Sequence, residues 1–383
     1  MKIAIFTDTY LPQINGVTKT LNKLIHYFEA HNIDYRVFAP QDGIEAYNNK
    51  IKRFFSFKFI LYPECRVALP NYLSIVEQLK DFRPDIIHVV TPFNLGLCGL
   101  KYAKDCNIPL VSSYHTNIPQ YLEYFNLKFL VNASWRFFKW FHSQCEKNYC
   151  PSKNTMELLA EQGIENLEIW SRGIDTAKFS PQLRNKDLRK QYNIDDKIVF
   201  LYVGRMSPEK DLDILMNVAR KLNHNFKDSV HFMMVGDGPM TRELKEQAPE
   251  NMTFTGFLKG NELAEMYASS DVFLFPSSTE TYGNVVIEAM ASGLPVIACN
   301  AGGITDNLVD GYNGLACGVR NEKEFYRAAE MLVNDKRMRN HLAETARNYT
   351  LEMNWDYVFQ KLVNSYQEVV DKMNMNSKRK LTA

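Results

Sequence analysis

Two glutamates eight positions apart, Glu280 and Glu288, stand on either side of a glycine-bearing turn in FPSSTETYGNVVIEAMASG, residues 275–293. Carboxylates at that spacing, with a helix start between them, suit the binding of a ligand that carries both an anion and hydroxyl groups. The elements that position them are readable. The apolar run Val272 to Phe275 is a buried parallel strand. A loop of small polar residues holding Glu280, Thr281 and Gly283 follows, and VVIEAMASG has apolar positions at helical spacing and stops at Gly293. A strand, loop and helix in that order aim the helix N-terminus at the carboxyl end of the strand, where an open α/β sheet binds its ligand. Backbone N–H groups at Asn284, Val285 and Val286 are expected to be free and to bind an anion, above all a phosphate. That phosphate would repel Glu280 and Glu288, which are better placed to accept hydrogen bonds from hydroxyls flanking it. A diphosphate between two polyols is a sugar nucleotide.

A second constellation follows the apolar run Ile198 to Val203. In GRMSPEKDLDILMNVARKL, Gly204 permits a tight turn, and Arg205 and Lys210 lie five apart at the mouth of a helix. Two cations there can bind a diphosphate and neutralise charge developing on it; the bland alternative is a pair of surface cations on a loop. Asp211-Leu212-Asp213 imitates the D-x-D of metal-dependent transferases. At a helix start these carboxylates read instead as N-terminal charge on the macrodipole, and no metal site is assigned.

ETYGNVVIEAMASGLPVIACNAGG, with its E-x7-E spacing followed by G-x-P-V-I-A and A-G-G, resembles the corresponding region of retaining glycosyltransferases of family 4, which have the GT-B fold. Other landmarks extend the likeness over nearly the whole chain. The resemblance implies two Rossmann-like α/β domains with parallel sheets facing across a cleft: an acceptor-binding domain at 1–178, joined by a final helix at 355–373, and a nucleotide-sugar domain at 195–350. It implies that Arg205 and Lys210, in G-R-x-x-x-E-K, bind the donor diphosphate. Gly236 in the G-D-G-P loop would line the donor site, and Phe257 and Leu258 would meet the nucleobase through their backbone. Glu280 would hold the sugar and Glu288 the ribose. His115, in S-x-H-T at the end of the strand Ile108 to Thr116, would touch the transferred sugar or the acceptor. Gly16 in the first loop would lie near the donor phosphates, or else is a plain turn glycine, with Asp8 a further candidate on the acceptor side. Retention of configuration is likewise the family's. Arg172 stands where the family more often has Asn, and no role is assigned to it. The donor expected is UDP-glucose or GDP-mannose, with no cofactor and no metal required.

Composition bounds these readings. At 383 residues the chain has room for two cores, and a net charge of +1 gives no global attraction for nucleic acid or membrane. The seven cysteines show no C-x-x-C spacing, which suits reduced thiols and a cytosolic or membrane-peripheral protein. MKIAIFTDTY is a strand entering the fold, not a signal peptide. The opening βαβ lacks G-x-G-x-x-G, which argues against a nicotinamide dinucleotide site. KIKRFFSFKFI (50–60) and the segment 126–142, which contains WRFFKWFH, interleave basic and aromatic residues. They fit either a lipid interface or a strand edge and a buried helix. The following YPECRVALPN resembles lipid-acceptor members of the family, which implies a membrane lipid such as diacylglycerol as acceptor, a soluble or cell-wall polysaccharide being the other reading. The tail from 374, ending SKRKLTA, is expected to be disordered.

Overall fold

Apolar runs too short for helices and flanked by turn residues become strands buried on both faces. The computed structural model describes residues 1–13, 15–42, 48–59, 62–124 and 127–382, without the side chains at 58–59, 62–65, 124 and 377–382. The chain divides into two units. One comprises Met1–Thr116, Phe129–Ser171 and Asp356–Ala383; the other comprises Asn117–Lys128 and Arg172–Trp355.

The N-terminal unit contains β1 (Lys2–Phe6), β2 (Asp34–Pro40), β3 (Ile51–Phe54), a hairpin of β4 (Ser56–Phe59) and β5 (Tyr62–Ala68), then β6 (Ile86–Val89), β7 (Leu110–Ser113), β8 (Lys147–Cys150) and β9 (Leu167–Ile169). Seven of these form one parallel sheet in the order β3-β2-β1-β6-β7-β8-β9; the antiparallel β4–β5 pair stands apart. The order reverses between β1 and β6, and in open α/β sheets the carboxyl side of such a reversal is where ligands bind. The helix Trp355–Thr382 belongs here. Its Tyr366 is fully buried and shares a hydrogen bond of 2.6 Å with Nδ1 of His88, whose Nε2 meets Ser113 Oγ at 2.5 Å. Burial holds His88 neutral, with its pKa lowered to about 3. Lys147 at the start of β8 pairs with Glu168 (2.7 Å) and with Glu368 of the same helix (2.9 Å). The tail expected to be disordered continues this helix to Thr382, since nothing after Trp355 interrupts it: the segment has neither proline nor glycine.

The second unit contains β10 (Ile198–Val203), β11 (Val230–Val235), β12 (Met252–Gly256), β13 (Val272–Phe275), β14 (Val296–Cys299) and β15 (Gly314–Cys317). All pair in parallel, in the order β12-β11-β10-β13-β14-β15, the doubly wound pattern with its reversal between β10 and β13. Phe200, Phe232, Phe273 and Phe275 fill the core, Phe200 stacking on Phe232 at 5.0 Å.

The amino ends of β10 and β13 are clamped together. Arg189, 5% exposed, donates to Asp271 Oδ2 (3.0 Å) and to the carbonyls of Ser269 (2.7 Å), Ile194 (2.6 Å) and Lys197 (2.7 Å). Asp271 Oδ2 in turn accepts the N–H of Val199 at 2.9 Å. A buried guanidinium so fully bonded cannot lose its partners cheaply. Asp271→Ala should therefore lower unfolding free energy by about 3–5 kcal/mol, while an Arg189→Met, Asp271→Leu double variant should lose much less; urea denaturation of the three proteins checks both.

Candidate active site

At the reversal between β10 and β13, the loops leaving the two strands are stitched to each other. Lys210 Nζ meets Glu280 Oε1 at 2.5 Å, and Ser277 Oγ donates to the same oxygen at 3.0 Å. Thr279 Oγ1 donates to the Glu209 carbonyl (3.1 Å), and Ser278 Oγ to Asp211 Oδ2 (2.7 Å). Burial opposes the Lys210 charge, yet the facing Glu280 carboxylate, with Tyr121 and Tyr202 nearby, holds its pKa well above the ordinary lysine value. The helix Ile118–Tyr124, part of this unit, packs against the Pro208–Lys210 turn and brings Tyr121 there.

Two glycine loops support the stitched pair from behind. Gly236, at φ +128°, lies so close to the loop after β10 that a Cβ would fall 2.0 Å from the Gly204 carbonyl oxygen. Gly302, at φ +60°, lies as close to the loop after β13: its Cβ would fall 2.4 Å from the Glu280 carbonyl oxygen, and the Gly303 N–H donates to that oxygen at 2.7 Å. Arg205 opens the Lys210 loop, its carbonyl held by the Tyr202 hydroxyl at 2.8 Å.

The helix Asn284–Ala291 starts at Gly283, which adopts a left-handed conformation (φ 79°, ψ 51°) and, lacking a side chain, cannot cap it. One expectation is corrected here. The Val286 N–H is not free: the tight turn at Gly283 lets it donate to the Gly283 carbonyl at 2.9 Å, with Ile287 sharing that acceptor at 3.3 Å. The N–H groups of Asn284 and Val285 have no acceptor among the described residues, so two amides rather than three remain for an anion. Glu288, 5% exposed, accepts the Tyr267 hydroxyl on Oε2 at 3.1 Å. Burial, reinforced by that carboxylate, pushes the Tyr267 hydroxyl well up, so it remains a donor. After β12, Phe257 is exposed and Leu258 half-buried.

The Asp211 and Asp213 carboxylates are occupied by one guanidinium: Arg320 Nη1 meets Asp211 Oδ1 at 2.7 Å and Nη2 meets Asp213 Oδ2 at 2.5 Å. Among the described residues no three His, Cys, Asp or Glu side chains gather as a metal would need. The ring of helpers around the pair, namely Tyr121, Tyr202, Ser277, Ser278 and Arg320, was not singled out from sequence. The serines carried a signal, being small polar residues directly after a buried strand; Arg320 carried none.

In the N-terminal unit, Asp8 follows β1 at that sheet's own reversal. Its Oδ1 accepts the N–H of Leu95 at 3.1 Å and its Oδ2 the hydroxyl of Thr91 at 3.2 Å, so the carboxyl group fastens the start of the helix Asn94–Cys106. Gly16 is the first residue of the helix Gly16–Ala30, capped by Asn15, whose side chain accepts the Thr18 N–H at 2.8 Å. His115 follows β7, half-buried, its ring edge-on to Trp170 at 5.2 Å.

Comparison with known proteins agrees with this architecture. Residues 14–178 match the family described as Glycosyltransferase Family 4, and residues 184–349 match Glycosyl transferases group 1. A GDP-mannose-dependent alpha-mannosyltransferase of Corynebacterium glutamicum is 31% identical over 97% of this chain and 89% of its own. An alpha-monoglucosyldiacylglycerol synthase of Streptococcus pneumoniae is 32% identical over 78% and 71%. An Anabaena protein solved with UDP-glucose superposes with a TM-score of 0.75 at 20% identity, covering 96% of this chain and 100% of that one. With two parallel-sheet units, matching family descriptions along both and relatives at this level, the chain belongs to glycosyltransferase family 4 and has the two-domain GT-B fold. It is a glycosyltransferase.

Asp8 generates a pH prediction. Burial raises its pKa from 3.8 to about 6, against the lowering effect of its hydrogen bonds. The folded state therefore binds the proton more tightly than the unfolded chain, and stability falls as pH rises from about 4 to about 6. Asp8→Asn keeps an acceptor for Leu95 and removes the charge. Relative to the unaltered protein it should gain up to about 3 kcal/mol between pH 4 and pH 7, seen in urea unfolding at both values.

Proposed function

We propose that this glycosyltransferase moves a hexose from a nucleotide sugar to a hydroxyl of a membrane lipid such as diacylglycerol, with retention and without a metal ion. The observation that carries the donor half is the Lys210–Glu280 pair at the sheet reversal, beside the open N–H groups of Asn284 and Val285. An arriving diphosphate competes with Glu280 for Lys210. Lys210, Arg205 and the two amides then take the phosphate oxygens, and Glu280, released from its cation, turns to the sugar hydroxyls. As the anomeric C–O bond breaks, negative charge grows on the leaving diphosphate, and these fixed positive groups stabilise it as it forms. They supply the charge that a divalent cation supplies in other transferases. Glu288, oriented by the Tyr267 hydroxyl, accepts from the ribose hydroxyls. The backbone at Phe257 and Leu258, with the Gly236 loop, meets the base. On the N-terminal unit, His115 positions the sugar or acceptor, while Asp8 and Gly16 shape the loop beside it.

Relatives named for GDP-mannose and for a glucosylated diacylglycerol match at nearly equal identity, 31% and 32%, which supports a mannose or a glucose donor, GDP-mannose or UDP-glucose. The lipid acceptor is supported by the second of these names and by exposed rings on the N-terminal unit: Phe55, Phe57, Phe129 and Trp140 are between 47% and 76% exposed. Lys52 lies on the strand that runs into the hairpin, a cation available to a headgroup, whereas the Arg53 guanidinium is taken up by the Pro40 carbonyl (3.0 Å) and the Tyr10 ring. The helix Val131–His142 divides its aromatics, burying Phe138 and Phe141 and exposing Trp140. Among the described residues no helix is long and apolar enough to cross a membrane.

With EDTA present, GDP or UDP should raise the melting temperature, and Lys210→Ala should abolish the shift. Lys210→Ala and Glu280→Gln should each lower kcat/KM about 10²- to 10³-fold. No nucleotide-dependent shift, or full activity in both variants, would sink the donor site; loss of transfer in EDTA that magnesium restores would sink metal independence. Separately, the protein should sediment with diacylglycerol-containing anionic vesicles, and a Phe55→Ser, Trp140→Ser variant should stay in the supernatant. Equal sedimentation of both proteins would favour a soluble or polysaccharide acceptor.

A further inference from the structure

A cavity of about 550 Å³ opens at the amino ends of β1–β3, at the other end of the strands from Asp8. The helix Tyr72–Phe82 covers the middle of this sheet face, where Ala4, Phe38 and Phe54 join Ile75 and Leu79 in the core. Its cover stops at Phe82, and beyond it the same face turns cationic. Strand pairing sets Lys2 beside Asp34, and Ala4 beside Arg36, while Phe38 pairs with Lys52. With side chains alternating between faces, Lys2, Asp34, Arg36 and Lys52 all point to the side that Phe82 closes. The Arg36 guanidinium lies over the Phe82 ring at 4.9 Å from its centre and Lys2 Nζ at 5.8 Å, which aligns both heads along one wall. None of the three cations makes an ion pair with a carboxylate among the described residues, although Asp34 and Asp81 line the same cavity.

We propose that this cavity is a second binding site, for a phosphorylated polyol: the phosphate sits on Lys2, Arg36 and Lys52, and hydroxyls of the same molecule donate to Asp34 and Asp81. Two cations gathered on one buried ring, with Lys52 lining the same concavity, offer several N–H donors to one anion. The two carboxylates at the rim would repel a bare polyanion, and they favour a ligand whose hydroxyls flank its phosphate. The volume lies in the range of small-molecule sites. The same chemistry is carried by a free polyol phosphate and by the glycerophosphate headgroup of an anionic lipid. The site does not depend on the donor reading, because no residue is shared with it.

The test is calorimetric titration of the full-length protein with glycerol 3-phosphate and with inorganic phosphate, together with sedimentation on phosphatidylglycerol and phosphatidylcholine vesicles. Glycerol 3-phosphate should bind with one-to-one stoichiometry. Arg36→Gln should weaken it about tenfold, and a Lys2→Gln, Arg36→Gln variant should abolish binding. Asp34→Asn should weaken glycerol 3-phosphate while sparing inorganic phosphate. Binding of glycerol 3-phosphate with unaltered vesicle sedimentation in the double variant identifies a free ligand. Loss of sedimentation on phosphatidylglycerol alone identifies the lipid headgroup. Unchanged melting temperature and nucleotide-induced shift in each variant show that the fold and donor site are intact. If neither glycerol 3-phosphate nor phosphatidylglycerol vesicles distinguish the double variant from the unaltered protein, the site does not exist.

Discussion

A lysine and a glutamate seventy positions apart, in contact at 2.5 Å and each less than a fifth exposed, hold together the two loops that carry the proposed donor site. Either charge alone at that depth would be costly, because removing a partner leaves the other uncompensated. The loops after β10 and β13 are therefore fixed by mutual need rather than by regular secondary structure. The arrangement presupposes that the two strands are neighbours, and the strand order supplies that.

The two ends of those strands use similar groups to opposite purpose. At the amino ends Arg189 bonds mainly to backbone carbonyls and to one aspartate, contacts that no small molecule replaces. At the carboxyl ends the links run through side-chain hydroxyls, carboxylates and the Lys210 ammonium, contacts for which the hydroxyls and phosphates of a small ligand can compete. One end is closed and the other exchangeable, within a distance of six residues of strand.

Much of this was legible in sequence wherever the signal was local. Ile198–Val203 and Val272–Phe275 are strands with the expected limits, the opening segment holds the strand Lys2–Phe6, and the helix after Gly283 ends before Gly293. Continuous apolar runs bounded by turn residues carry that information. Arg205, Lys210, Glu280 and Glu288 were singled out as residues, but what Lys210 touches was not, because the pairing is set by strand order. The Val286 amide was misjudged for a different reason: a helix start shows which N–H groups lack an i−4 partner but not that a left-handed Gly283 brings its own carbonyl within reach. The hairpin β4–β5 was also hidden, since alternating basic and aromatic residues suit a strand and an amphipathic surface alike. The helical course of the last residues depended on weighing composition against helix propensity, and propensity prevailed.

The place of Tyr366 bears on how the molecule comes into being. His88 lies in the middle of the first sheet, and the hydroxyl that satisfies its Nδ1 comes from 278 residues further along the chain. On the ribosome, β1 to β9 emerge early, and domains generally fold in that order. The first-made unit nevertheless waits, with His88 holding Ser113 but not Tyr366 and Lys147 holding Glu168 but not Glu368, until the whole second unit has been synthesised. The nascent chain thus finishes its older half last, and a truncation that removed only the final helix would strike the half made first.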